Sequence, residues 1–314
     1  MPSWGLKHTA KLFAFIFAHY LFSHNMFISG FTIIKNAVKN DYPIVEAINS
    51  ILPVVDEMIV LVGDSEDETL QLIESIKSNK VKIHHSVWDN TLRKGGVVLA
   101  VETNKAFKLI NPAATWAFYI QADEAVHEKY LPVIKKAMND YASDKSVDGL
   151  LFNYTHFYGT YDYVGDSRKW YSKEIRIIRN DPAISSYRDA QGFRKNGEKL
   201  KVKLIDAFIY HYGWVKSPNQ MMKKIAEVRK FWHPDEELAG IKDNSEDFDY
   251  TSIDSITTFE GTHPEVYVDR VNNTHWNVVF DISKKKFKLK DQILYKFEKL
   301  TGVRLFDYQN YKII

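Results

Sequence analysis

Apolar and polar positions alternate in blocks along the first half of the chain. Residues 31–34 (FTII) form a short apolar run rich in β-formers, followed by a polar stretch over 35–41. Pro43 stands where a first helical turn accepts proline, and Ile44, Ala47, Ile48, Ile51 and Leu52 recur at helical spacing up to Pro53. The run 58–62 (MIVLV) predicts a second, buried strand. Ser65 with Glu68 three residues on predicts a capping box, and Leu70, Ile73 and Ile76 give the next helix its apolar face. Residues 81–87 predict a third strand, 97–110 an amphipathic helix, and 116–120 (WAFYI) a fourth strand. The β-α-β-α-β-α-β rhythm predicts an α/β fold with a mostly parallel central sheet and helices on both faces. Ligands of such a sheet bind at the carboxyl ends of its strands.

Beyond a helix expected over 130–141 the rhythm changes. Strands at 149–158, 174–179 and 204–212 lack regular crossover helices between them, as in a mixed second half added to the same sheet; a helix over 218–231 follows. The expected organisation is an apolar N-terminal extension (1–26), an α/β domain (27–232) and a C-terminal extension (233–314). That extension is electrically split: 233–260 carry nine acidic side chains against one lysine, and 270–314 carry ten basic against four acidic. Within the basic part, 284–290 (KKKFKLK) lead into an amphipathic stretch ending near Leu300. This is either a solvated helix face or a patch that touches anionic lipid. At the other end, the apolar run 12–22 is eleven residues long, whereas a bilayer span takes about 20. It is either a short membrane-seeking segment or sequence upstream of a true start at Met26.

Composition narrows the chemistry. The 314 residues include no cysteine, which excludes disulfides, iron–sulfur clusters, thiolate zinc sites and thiol nucleophiles. Any metal must be held by oxygen or imidazole. The net charge of +2 gives no general pull towards nucleic acid, and none is expected as a partner. Aromatic content is 14%, suited to flat ligands, although core packing accounts for most such residues. There is no GxGxxG after the first strand, no GxxxxGK[ST], no GxSxG and no HExxH.

Four segments at expected strand ends carry candidate chemistry. In 119–124 (YIQADE), Asp123 and Glu124 leave an apolar strand where a carboxylate faces the ligand crevice and suits Mg²⁺ or Mn²⁺ with substrate phosphates; equally, they cap a helix beginning near Glu128. Asp64, after strand two, is placed to hydrogen-bond a ribose or base. Arg93 and Lys94, in the glycine-containing loop 88–96, are placed to meet a diphosphate. His211, in HYGW over 211–214, is a packed histidine or a further metal ligand in a chain without thiols.

Taken in order, FTIIKNAVKNDYPIVEAINSILP, VGDSEDET, GGVVLAVETNKAF, YIQADE and HYGW resemble the motifs of a family 2 glycosyltransferase of the GT-A fold. The likeness, over roughly 27–220, is to bacterial members with QADE in place of the usual DxD. It implies that Lys35, Asn36 and Asp64 line the nucleoside pocket, with Arg93 near the base or diphosphate. It also implies that Asp123 binds a divalent metal bridging the diphosphate, with His211 completing its shell. Gln121 replaces the first aspartate of DxD, so the donor contact made there is altered. Val62 and Gly63 replace the usual paired aspartates, which leaves Asp64 displaced by one position.

The implied reaction is a metal-dependent, inverting displacement from a nucleotide-sugar donor onto a hydroxyl of a glycan or lipid-linked acceptor. A general base is then needed across the crevice from Asp123. Asp189, in a loop with an adjacent glycine, is preferred to Glu174, which is otherwise a partner of Lys173 or Arg176. Trp170 and Tyr171 make an acceptor platform or pack in the core. A nucleotidyltransferase would want a glycine-rich loop after strand one, which 35–39 (KNAVK) does not supply; a catalytically silent binding module and a membrane-surface scaffold are the other readings. The protein is expected in the cytoplasm, with peripheral contact at the inner face of the membrane through its basic tail.

Overall fold

A computed structural model describes residues 26–239 and 247–314. The expected 12–22 run, and all but Met26 of the N-terminal extension, lie outside the described residues. The first half contains β1 (Ile28–Ile34), α1 (Ile44–Ile51), β2 (Glu57–Val62), α2 (Thr69–Glu74), β3 (Val81–His85), α3 (Val97–Lys108) and β4 (Trp116–Tyr119). All residues of β1, β2 and β4 are buried, because helices cover both faces. Alternate side chains feed two cores. Met58, Val60 and Val62 pack with Ile44 and Ile48 of α1; Ile59 and Leu61 pack with Val98 and Phe107 of α3.

The second half comprises β5 (Glu124–Val126), α4 (Leu131–Asp140), β6 (Gly149–Gly165), β7 (Lys173–Arg179), β8 (Ile184–Tyr187), β9 (Gly192–Lys195), β10 (Glu198–Lys199), β11 (Lys201–Val215) and α5 (Pro218–Arg229). The tail adds α6 (Asp235–Ala239), β12 (Ile256–Thr258), α7 (Val268–Asn272), α8 (Leu289–Thr301) and β13 (Lys312–Ile313). The main sheet runs β13-β11-β6-β7-β4-β1-β2-β3, with β5 on β11 and β12 on β6; β8, β9 and β10 form a small antiparallel sheet. The expected α/β class, with a parallel half and a mixed half, is what the chain adopts. Because β3 is followed by β4 on the far side of β1, the strand order reverses beside β1, and a crevice opens at the carboxyl ends of β1 and β4.

Two local expectations need correction. The Ser65/Glu68 capping box does not form: α2 starts at Thr69 with no side-chain cap from Glu68. Ser65 instead accepts a hydrogen bond from the Asn36 backbone, and Asp67 accepts from Thr69 N at 3.1 Å. Nor do Asp123 and Glu124 cap a helix. Residues 124–126 pair with β11 as β5, and His127 accepts from Lys129 N at the start of the short 3-10 turn that follows. Among the described residues, no helix is long and apolar enough to cross a membrane.

Candidate active site

The crevice is a cavity of about 680 Å³ whose lining includes Lys35, Gln121, Asp123, Asp189, His211 and Lys224. Lys35 leaves β1 and Gln121 leaves β4. Asp123 is placed by the antiparallel register of β5 on β11, which sets Glu124 opposite His211 and lets Tyr212 N donate to Asp123 O at 2.8 Å. The carboxylate and imidazole thereby come to 3.8 Å, Asp123 Oδ1 to His211 Nε2. Gly213 is required beside them, since a Cβ there would lie 2.6 Å from His211 Nε2 and 2.7 Å from Asp123 Oδ2.

A hydrogen-bond chain fixes the tautomer of His211. His156 Nε2 lies 2.9 Å from the Tyr171 carbonyl oxygen, which can only accept, so this nitrogen carries the proton. Burial, then the neighbouring His211, holds His156 well below the ordinary histidine pKa, so the ring is neutral and its Nδ1 is an acceptor. His211 Nδ1, 3.1 Å away, must therefore donate to it. Burial also lowers the His211 pKa, against the pull of Asp123 and Glu124, so this ring too is neutral near pH 7. The lone pair of Nε2 then faces Asp123. Burial opposes ionisation of Asp123, but Lys224, His211 once it is protonated in acid, and Lys216 hold its carboxyl well below the usual range.

One carboxylate oxygen and one neutral imidazole nitrogen directed at a common point suit a divalent cation that takes its other ligands from phosphate and water. Among the described residues, no group of three or more His, Cys, Asp or Glu could hold a metal without such help. Lys224 Nζ bonds the other oxygen, Asp123 Oδ2, at 3.0 Å and the Gly213 carbonyl at 2.8 Å. A fixed positive charge thus sits beside the pair.

The other expected residues divide. Gln121 lines the cleft and ties its loop to the next by donating Nε2 to Ala190 O at 3.2 Å. Asp189 lines the same cleft between Arg188 (φ 55°) and Ala190 (φ 61°), two left-handed residues that are not glycine. Such backbone strain persists where the surroundings over-determine a conformation. Trp170 and Tyr171 line both this cleft and a neighbouring cavity of about 340 Å³. Glu174 belongs to that second cavity: it is 2% exposed, accepts from Gln191 Nε2 at 3.0 Å, and is pushed by burial to a pKa of about 8 against the pull of Arg176.

Asn36, Asp64 and Arg93 are not among the residues that line the cleft. Asn36, buried at φ 52°, receives Glu66 N on its side-chain oxygen at 2.8 Å and donates its own N to Ser65 Oγ, stitching two loops together. Asp64 accepts from Lys35 Nζ at 2.7 Å and from Trp88 N at 3.1 Å, and so positions the lysine that does line the cleft. Arg93 donates Nε to Asn90 O at 2.9 Å on the 88–96 loop. Glu124, which sequence reasoning set beside Asp123, is fully buried in a two-bond ion pair with Arg176.

No protein-family profile matches the chain, and no curated protein does. Solved structures resemble it distantly. S. aureus TarS 1–349 is 16% identical over 65% of this chain and 64% of its own length, with a TM-score of 0.38. The same protein in complex with UDP gives 17%, 64%, 64% and 0.39. Glucosyl-3-phosphoglycerate synthase from Mycobacterium tuberculosis, in complex with Mn²⁺, UDP and glucosyl-3-phosphoglycerate, is 16% identical over 51% of this chain and 50% of its own, with a TM-score of 0.30. The chain thus spans just under two thirds of the length of TarS 1–349. Likeness at this level bears on neither chemistry nor substrate.

Three cleft residues escaped sequence reasoning. His156 sits in a β-rich run where nothing local marks it. Lys224 was legible in retrospect, as a charged residue on the α5 face made by Met221, Ile225 and Val228, all of which line the cleft. Trp88 lines the cleft while its Nε1 is buried against Gly63 without a hydrogen-bond partner.

Proposed function

We propose that the protein is a glycosyltransferase that moves a sugar from a nucleotide-sugar donor to an acceptor hydroxyl with inversion at the anomeric carbon. The observation that carries this reading is the convergence of Asp123 Oδ1 and His211 Nε2 at 3.8 Å inside the carboxyl-end crevice, with Lys224 against the same carboxylate. The motif resemblance supplies the reaction class. Asp123 and His211 would hold a divalent ion, Mn²⁺ or Mg²⁺, which when bound stabilises the charge of the departing diphosphate. Lys224 and Lys35 add fixed positive charge beside the diphosphate.

Asp189 is assigned as the general base. It takes the proton of the acceptor hydroxyl as the new C–O bond forms and the bond to the diphosphate oxygen breaks. Glu174 suits this less well, because a carboxyl with a pKa of about 8 is protonated at neutral pH. Trp170 and Tyr171 form the wall on which a glycan or lipid-linked acceptor packs, and Gln121 and the loop held by Asn36 and Asp64 shape the nucleoside end.

The test is a thermal-shift screen of UDP-, GDP-, CMP- and dTDP-sugars with and without Mn²⁺. A donor at a hundredfold its Kd stabilises the native state by about 2.7 kcal/mol. One donor class should raise the melting temperature only with metal present, Asp123→Ala should abolish that shift, and the same donor should be consumed with an acceptor. If every donor leaves the melting temperature unmoved, or Asp123→Ala shifts like the wild type, the reading fails. Binding without turnover would favour a silent binding module.

A further inference from the structure

Helix α8 wears its polarity inside out. Leu289, Ile293, Phe297 and Leu300 are 73%, 60%, 39% and 87% exposed, and their spacing places them on a single stripe. The half-buried side carries one aliphatic residue, Leu294, among Asp291, Tyr295 and Glu298. There Tyr295 donates its hydroxyl to Asp166 Oδ2 at 2.7 Å, and Glu298 Oε2 accepts from Arg168 Nη1 at 2.6 Å. Polar bonds therefore hold the helix to the body and turn its apolar stripe outward. A helix stabilised by burying its own apolar face would sit the other way round.

The stripe continues past Gly302, where the left-handed backbone (φ 71°) ends the helix, into Val303, Leu305 and Phe306, the last 88% exposed. Most of the exposed large apolar side chains among the described residues fall within 279–314. Charge frames the patch. Residues 284–304 carry eight basic side chains against Asp291 and Glu298, and on the helix Lys290 lies to one side of the stripe, Lys296 and Lys299 to the other.

We propose that α8 and the 303–306 segment form an interfacial anchor that lays the protein on an anionic lipid bilayer. A 13-residue helix is about 20 Å long, too short to span but sufficient to lie in the headgroup plane. Its apolar side chains enter the acyl boundary while the flanking lysines reach the headgroups. A second copy of the chain is the poorer occupant, because two such faces would bring their basic rims together. The proposal stands on this surface alone and is independent of the reaction assigned to the cleft.

The experiment is flotation of the full chain with vesicles of phosphatidylcholine alone or with about 30% phosphatidylglycerol. The wild type should float with the anionic vesicles, and less so as salt rises from about 0.1 to 0.5 M. Ile293→Glu with Leu300→Glu should cut the bound fraction about tenfold at an unchanged melting temperature, since both side chains point away from the body. Lys288→Glu with Lys296→Glu should abolish the preference for anionic lipid. The proposal is overturned if the wild type floats with neither vesicle, if either double variant behaves as the wild type, or if light scattering shows a dimer that the apolar variant dissociates without any lipid binding.

Discussion

Replacing Glu124 by Gln perturbs a fully buried ion pair that underlies the QAD loop. Both partners have no exposed side-chain surface; Arg176 Nε reaches Glu124 Oε2 at 2.8 Å and Nη2 reaches Oε1 at 2.6 Å. The amide keeps the volume but removes the charge, leaving the guanidinium uncompensated in a dry interior. Breaking a buried pair from one side costs about 3–5 kcal/mol. For a chain of this size that is a fall in melting temperature of about 5–8 °C. Glu124 Oε2 also receives Gln121 N at 3.1 Å, so the loop that presents Asp123 should loosen as well.

Urea denaturation of Glu124→Gln, Arg176→Met and the double variant separates the pair from its surroundings. The double variant should recover most of the loss, short of about 1–2 kcal/mol for the carbonyls of Ile175 and Gln191 that Arg176 also serves. A single-variant loss below about 1 kcal/mol, the size typical of a solvated surface pair, would refute the reasoning. So would a double variant no more stable than either single one.

Two further outcomes follow from the same geometry. Glu174 has a folded pKa of about 8 against an ordinary 4.5, so between these values the native state holds a proton that the unfolded chain has lost. Stability should therefore fall as pH rises from 4.5 to 8, by about 5 kcal/mol if no other group responds, and Glu174→Gln should be the more stable protein at pH 8 and flatten the profile; a steeper or unchanged profile would contradict the assignment. His156→Phe removes the acceptor that fixes the His211 tautomer and should weaken Mn²⁺ binding in the presence of donor about ten- to a hundredfold, read by calorimetry, with the fold retained; unchanged affinity would remove His156 from the site.

The sequence alone determined the layered α/β half, because strands covered on both faces must be continuous apolar runs and their helices must carry a periodic apolar stripe. It also marked Asp123 and His211 as candidates, a carboxylate and an imidazole at expected strand ends. It did not reveal that Glu124 turns inward to Arg176 while its neighbour faces the crevice. Alternation along a strand fixes opposite directions, but which direction meets solvent is decided by the pairing of β5 with β11. That same register, with the bare backbone of Gly213, brings residues 88 positions apart in sequence to 3.8 Å. The contact of His156 with His211 and the outward turn of the α8 stripe are likewise products of packing: each depends on which side of an element its neighbours occupy.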